Sequence, residues 1–260
     1  MTAAYRLLLS VALTSLTLTD TFGADIINGK KVKKSSMLYM ASVQIDGKHR
    51  CGGFLIDPSY VLTAAHCDKG GNMTVIVGTH NISPKAANMR RYTVQHKHKH
   101  PSFRNVKTGN DIMLLKLSKK IDRKVETLEI QSNDEPLEPK CKIAGWGKSK
   151  PQNVQQNVDN LLVTEVQTIN LTTCLQNWKD PLPDNVLCTK GFKKKSGVCQ
   201  GDLGGPLVCR VKAKGKKKAK GSEKAVGIAS LENCDKNVPS IYTQISKYKL
   251  WIKKVINGGA

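Results

Sequence analysis

Three short segments carry groups that could act together on an acyl carbon. Thr63-Ala64-Ala65-His66-Cys67 supplies an imidazole, Asn110-Asp111-Ile112-Met113-Leu114-Leu115 a carboxylate ahead of an apolar run, and Gly201-Asp202-Leu203-Gly204-Gly205-Pro206-Leu207-Val208-Cys209 a glycine-rich turn. An imidazole oriented by a carboxylate is the base that takes the proton from a hydroxyl nucleophile, and backbone N–H groups can hold the oxyanion that forms. The turn presents Leu203, whose side chain has no oxygen. A second set, His96, His98 and His100, alternates with Lys97 and Lys99, so a strand would place the three imidazoles on one face. That spacing suits zinc or copper, but the interleaved lysines oppose a cation. A polar strand running into Pro101 is the favoured reading, and neither metal nor cofactor is expected.

The remaining chemistry is cationic. Lysine and arginine number 42 against 20 acids, a net charge of +22. The lysines cluster as Lys30, Lys31, Lys33 and Lys34, as Lys193, Lys194 and Lys195, and as Lys212, Lys214, Lys216, Lys217, Lys218 and Lys220. A field of that sign draws polyanions, whereas a solvated loop without a partner is the plain alternative for any one run. Lysine is a hydrated point charge suited to diffuse binding. With aromatics at 5% of the chain there is little to stack bases, so sequence-specific nucleic-acid recognition is not expected.

Elements must bring these groups together. Short β-branched or alternating runs recur between turn residues over Tyr39 to Ile45, Tyr60 to Thr63, Met73 to Val77, Ile112 to Leu117 and Ala225 to Ser230. They predict an all-β barrel or sandwich. Tyr248, Trp251, Ile252, Val255 and Ile256 instead recur at helical spacing and predict a closing amphipathic helix. The 260 residues suffice for one large β domain or two small ones. Arg6, the apolar run Leu7 to Leu18 and small Gly23 predict a signal peptide over 1–23. The run is too short to span a bilayer and no later one is long enough, so export as a soluble protein is expected, with storage in secretory granules as an extension of that route. Eight cysteines then predict four disulfides, since no Cys-x-x-Cys spacing points to structural zinc. Asn72, Asn81 and Asn170 head N-glycosylation triplets consistent with the same route.

In order and surroundings, the histidine, aspartate and glycine-turn segments resemble those of the chymotrypsin-like (trypsin-family) serine proteases, in the granzyme, mast-cell protease and azurocidin branch. Cys51-Gly52-Gly53-Phe54-Leu55-Ile56, Ala144-Gly145-Trp146-Gly147 and Val226-Gly227-Ile228-Ala229-Ser230 strengthen the resemblance, which runs from Ile26 onward. It implies two six-stranded antiparallel β-barrels and a C-terminal α-helix within a 26–260 domain, with His66 and Asp111 on the first barrel and Leu203 on the second. It assigns His66 as base, Asp111 as its orienting carboxylate, and Leu203 to the position of the nucleophilic serine. It also assigns Gly201 and Leu203 as oxyanion donors, Ser230 as support for Asp111, and Gly197, Ser230 and Ser240 to the primary pocket. Removal of the dipeptide 24–25 would free Ile26 to pair with Asp202. The implied disulfides are Cys51–Cys67, Cys141–Cys209, Cys174–Cys188 and Cys199–Cys234.

Leucine at the nucleophile position decides the expected functional class. Loss of a nucleophile of this kind costs on the order of 10⁶ in rate, roughly 8 kcal/mol of barrier. The expectation is a secreted, monomeric, catalytically inactive homologue that binds sulfated glycosaminoglycans or anionic microbial surfaces, with a peptide or protein as a second candidate occupant of the cleft. The alternative is an active granzyme-like endopeptidase in which Leu203 is an allele or a sequence error.

Overall fold

The computed structural model describes residues 29–86, 89–121, 125–132, 135–147, 159–178, 181–192, 202–212, 221–231 and 238–258. Barrel one is built from β2 (Met40–Ile45), β3 (Lys48–Asp57), β4 (Tyr60–Thr63), β5 (Met73–Val77), β6 (Arg90–Lys99) and β7 (Met113–Leu117). These six close in the order β2-β3-β4-β7-β6-β5 through antiparallel pairs. Strands β2, β4 and β5 are buried along their whole length, which is why Met-Ala-Ser-Val-Gln-Ile, Tyr-Val-Leu-Thr and Met-Thr-Val-Ile-Val read as dense apolar or β-branched runs.

Barrel two comprises β8 (Leu137–Gly145), β9 (Leu162–Ile169), β10 (Val186–Gly191), β11 (Pro206–Val211), β12 (Ser222–Leu231) and β13 (Ser240–Gln244). The order β9-β10-β13-β12-β11-β8 closes on itself because β9 also pairs β8. Closure matters physically: a ring of strands leaves no unpaired edge. The short β1 (Lys30–Lys31) adds to β9 at Val163 and Leu162. Helix α1 (Leu171–Leu175) follows β9, its first turn capped by the Asn170 side chain. Helix α2 (Lys249–Ile256) ends the described chain after a 3₁₀ turn over Ile245–Tyr248, at the place the apolar spacing predicts.

Buried side chains fasten the two barrels. Trp146 is fully buried, and its indole N–H donates to the His80 carbonyl at 2.9 Å. The Leu128 N–H donates to the Leu55 carbonyl at 2.8 Å, and the Gly52 N–H on β3 donates to the Leu203 carbonyl at 2.8 Å. This last bond sets the glycine turn of barrel two against barrel one.

Candidate active site

Each site group sits where an element ends. His66 lies in a 3₁₀ turn, Ala65–Cys67, that follows β4 directly. Asp111 precedes β7, and Ser230 lies near the end of β12. His66 Nδ1 is 2.7 Å from Asp111 Oδ2, and the His66 backbone N–H donates to Asp111 Oδ1 at 2.9 Å. Ser230 Oγ donates to Asp111 Oδ2 at 2.6 Å, and Thr243 Oγ1 donates to the Asp111 carbonyl at 3.0 Å. The carboxylate is fully buried, so three donors replace the water it has lost. A carboxylate only accepts, so Nδ1 carries a proton, and whenever the ring is neutral the lone pair lies on Nε2. That is the tautomer a base needs. Asn110 prepares the corner with φ +54°, and its Oδ1 accepts from the Tyr248 hydroxyl at 3.1 Å.

Leu203 occupies the turn between Asp202 and Gly205, just before β11. The Gly205 N–H closes the turn onto the Asp202 carbonyl at 3.0 Å, and the Gly204 N–H reaches the Ala229 carbonyl at 2.7 Å. Gly204 has φ +82°, and a Cβ there would meet Gly52 O at 2.6 Å and Cys67 Sγ at 3.1 Å. Only glycine allows the turn to lie this close to the Gly52 carbonyl and the Thr63 hydroxyl of barrel one. The Leu203 side chain is half-buried and packs against the apolar clusters of both barrels. A hydrocarbon is therefore in contact with the core at a turn that faces the His66–Cys67 segment.

Asp202 is buried, with Oδ1 accepting from the Gly147 N–H at 2.8 Å. Its expected partner Ile26 lies outside the described residues, as do Gly201, Gly197, the expected signal peptide and activation dipeptide, Cys199 and Cys234. Ser240 is buried at the start of β13, opposite Thr189. Cys51–Cys67, Cys141–Cys209 and Cys174–Cys188 are joined. Asn72 is exposed. Asn81 is half-buried, with Oδ1 accepting from Ser83 N–H at 2.8 Å, and Asn170 is exposed, with Oδ1 accepting from Thr173 N–H at 2.7 Å. Lys30, Lys31, Lys33, Lys34 and Lys212 are exposed. Lys193, Lys194, Lys195, Lys214, Lys216, Lys217, Lys218 and Lys220 fall outside the described residues.

The histidine series divides. His96 and His98 share a face with ring centroids 6.0 Å apart, whereas the His100 ring turns edge-on to Tyr248 at 5.2 Å and Trp251 at 5.3 Å. Burial, then the charges of His96 and Lys116, holds the His98 pKa below the usual imidazole range, and burial does the same to His100. Among the described residues, Cys51, His66 and Cys67 do bring potential ligand atoms within 4.8 Å of one another. The two sulfurs are bonded to each other, so no thiolate is offered there. Sequence reasoning missed Thr243, Tyr248 and Asp68. Asp68, two residues after His66, accepts from Lys97 Nζ at 2.8 Å and pairs with Lys99 Nζ at 2.9 Å. Burial raises the Asp68 pKa, but the two lysines outweigh it and hold the carboxyl below its ordinary value.

A family model described as Trypsin matches residues 26–252. The chain is 32% identical to serine protease 57 of Mus musculus over 96% of this chain and 88% of that protein. It is 34% identical to granzyme B of Rattus norvegicus over 91% and 93% respectively. Among solved structures, neuropsin, a serine protease expressed in the limbic system of mouse brain, superposes with a TM-score of 0.76 at 27% identity, covering 88% of this chain and 99% of that one. The matched span, the two closed barrels and the His66–Asp111–Ser230 chain of hydrogen bonds agree, and the protein belongs to the trypsin family of chymotrypsin-like serine proteases.

Proposed function

We propose that this family member does not hydrolyse peptides and acts instead as an exported, polyanion-binding protein. The observation that carries the reading is Leu203 in the turn where the family places its nucleophilic serine. Acyl transfer through this site requires an oxygen on that side chain, to be deprotonated by His66 Nε2 and then acylated. Leucine supplies neither the proton nor the lone pair. What survives is an imidazole–carboxylate pair whose hydrogen bonds support the fold whether or not chemistry follows, because a buried carboxylate stripped of donors is costly.

The surface supports the second half of the proposal. Net charge is +22, and removing Arg6, Asp20 and Asp25 with residues 1–25 leaves 41 basic against 18 acidic residues, a net +23. Among the described residues the acids engage Lys97, Lys99, Lys140, Lys142 and Lys224 in ion pairs, while Lys30, Lys31, Lys33 and Lys34 stand exposed around β1. No helix among the described residues is long and apolar enough to cross a membrane.

A fluorophosphonate probe tests the catalytic half. The wild-type protein is expected to stay unlabelled, and Leu203→Ser, with its fold checked by circular dichroism, to acquire label. Labelling of sequence-verified wild type would overturn the reading. The intact His66–Asp111–Ser230 geometry favours one second reading, an active endopeptidase in a form of the chain that carries serine at 203. Sequencing the transcript separates the two.

A further inference from the structure

Helix α2 turns one face to barrel one. Ile252 and Val255 are buried, the Trp251 ring lies 5.3 Å from His100, and the Tyr60 hydroxyl donates to the Val255 carbonyl at 3.4 Å. The opposite face is not simply polar. Leu250 is 83% exposed, the most exposed large apolar side chain among the described residues. At about 100° per residue, Lys253 lies roughly 60° to one side of Leu250 and Lys254 roughly 40° to the other. Both lysines are exposed, and no acidic residue occurs in the chain after Asp235. Lys249, the first residue of the helix, adds a further cation to the same segment.

A lone exposed leucine is ordinary. Here it stands between lysines on a helix without a carboxylate, and that combination has a specific complement. A sulfated glycan offers hydrated anions and gives an apolar side chain nothing to enter. A bilayer with anionic headgroups offers both layers: charge at the surface for the ammonium groups, and acyl chains a few ångströms below for the leucine. Lysine stems of four methylenes can lie along that boundary while their charges stay among the headgroups.

We infer that the outer face of α2 docks on anionic lipid bilayers, with Leu250 entering the boundary between headgroups and acyl chains and Lys253 and Lys254 pairing with lipid anions. The electrostatic part rests on the polyanion-binding reading above, and the apolar part is new. The mature protein is sedimented with phosphatidylcholine vesicles, with and without about one-third phosphatidylserine, and run in parallel on immobilised heparin. Binding to the phosphatidylserine vesicles alone is expected. Leu250→Ser, at a site too exposed to matter for folding, is expected to weaken that binding about tenfold and leave heparin retention unchanged. Lys253→Gln with Lys254→Gln is expected to weaken vesicle binding by a similar or larger factor. Undiminished vesicle binding by Leu250→Ser overturns the inference. So does a wild-type protein that is held by heparin and ignores the vesicles, an outcome that leaves the polyanion reading standing. Failure on both supports removes both.

Discussion

Asp111 is held in place by hydrogen bonds from both barrels. Its side-chain oxygens accept from the His66 backbone, the His66 ring and Ser230, and its carbonyl accepts from Thr243. Removing one donor from a fully buried acceptor costs about 1–3 kcal/mol. Ser230→Ala is therefore expected to lower unfolding stability by about that much in urea melts. An unchanged midpoint would mean that the network holds nothing in place. The His66 and Asp111 segments were legible because each is a short local string. Thr243 and Tyr248 were not, because their bonds to Asp111 and Asn110 span 132 and 138 residues of chain and leave no local pattern.

The junction of β6 with α2 gathers two histidines whose burial ties stability to pH. The His98 ring lies tilted to Tyr60 at 6.5 Å and near His96 and Lys116, while His100 is held between Tyr248 and Trp251. Burial lowers the proton affinity of both rings in the folded state. The unfolded chain, with imidazoles near 6.5, then binds more protons, so this contribution is complete above about pH 6.5 and is lost as pH falls toward the folded values. Thermal midpoints are expected to drop from about pH 7.5 to about pH 5.5, and His100→Phe to flatten the drop. A profile identical to wild type in that variant would remove His100 from the account. Asp68 works in another range: its lowered pKa keeps the Lys97 and Lys99 pairs until pH falls below about 3.8. The alternation of His96, His98 and His100 was readable, but not the register shift between Val94 and His96, nor the turn of His100 toward α2 rather than toward its neighbours. Helix α1 escaped notice because five residues, Leu-Thr-Thr-Cys-Leu, carry no helical periodicity, and its Asn170 cap reads equally well as a glycosylation triplet.

For the molecule as a whole, charge sets the range and rate of encounter while the closed barrels set rigidity. A net +22 on a closed β scaffold favours association that is fast, diffuse and screened by salt. Heparin retention is accordingly expected to be firm at low ionic strength and to fall steeply between about 0.1 and 1 M salt, where the Debye length contracts from about 10 to about 3 Å. Flow-through at low salt would refute polyanion binding. Two barrels are also what make the site composite: β4 and β7 deliver His66 and Asp111, β12 and the turn before β11 deliver Ser230 and Leu203, and the Gly52–Leu203 hydrogen bond joins them.

Residue identity was enough to establish the family, the β class, the closing helix and the missing hydroxyl, since each is written in short strings whose chemistry does not depend on what lies across the fold. Contacts between distant segments were another matter. That the Leu203 side chain packs against both barrels' apolar clusters, that Gly204 must lack a Cβ to clear the Gly52 carbonyl and the Thr63 hydroxyl, and that Leu250 stands out between two lysines all depend on which surfaces end up facing each other. Burial is a property of the packed chain, and only packing separates a leucine in the core from one left in water.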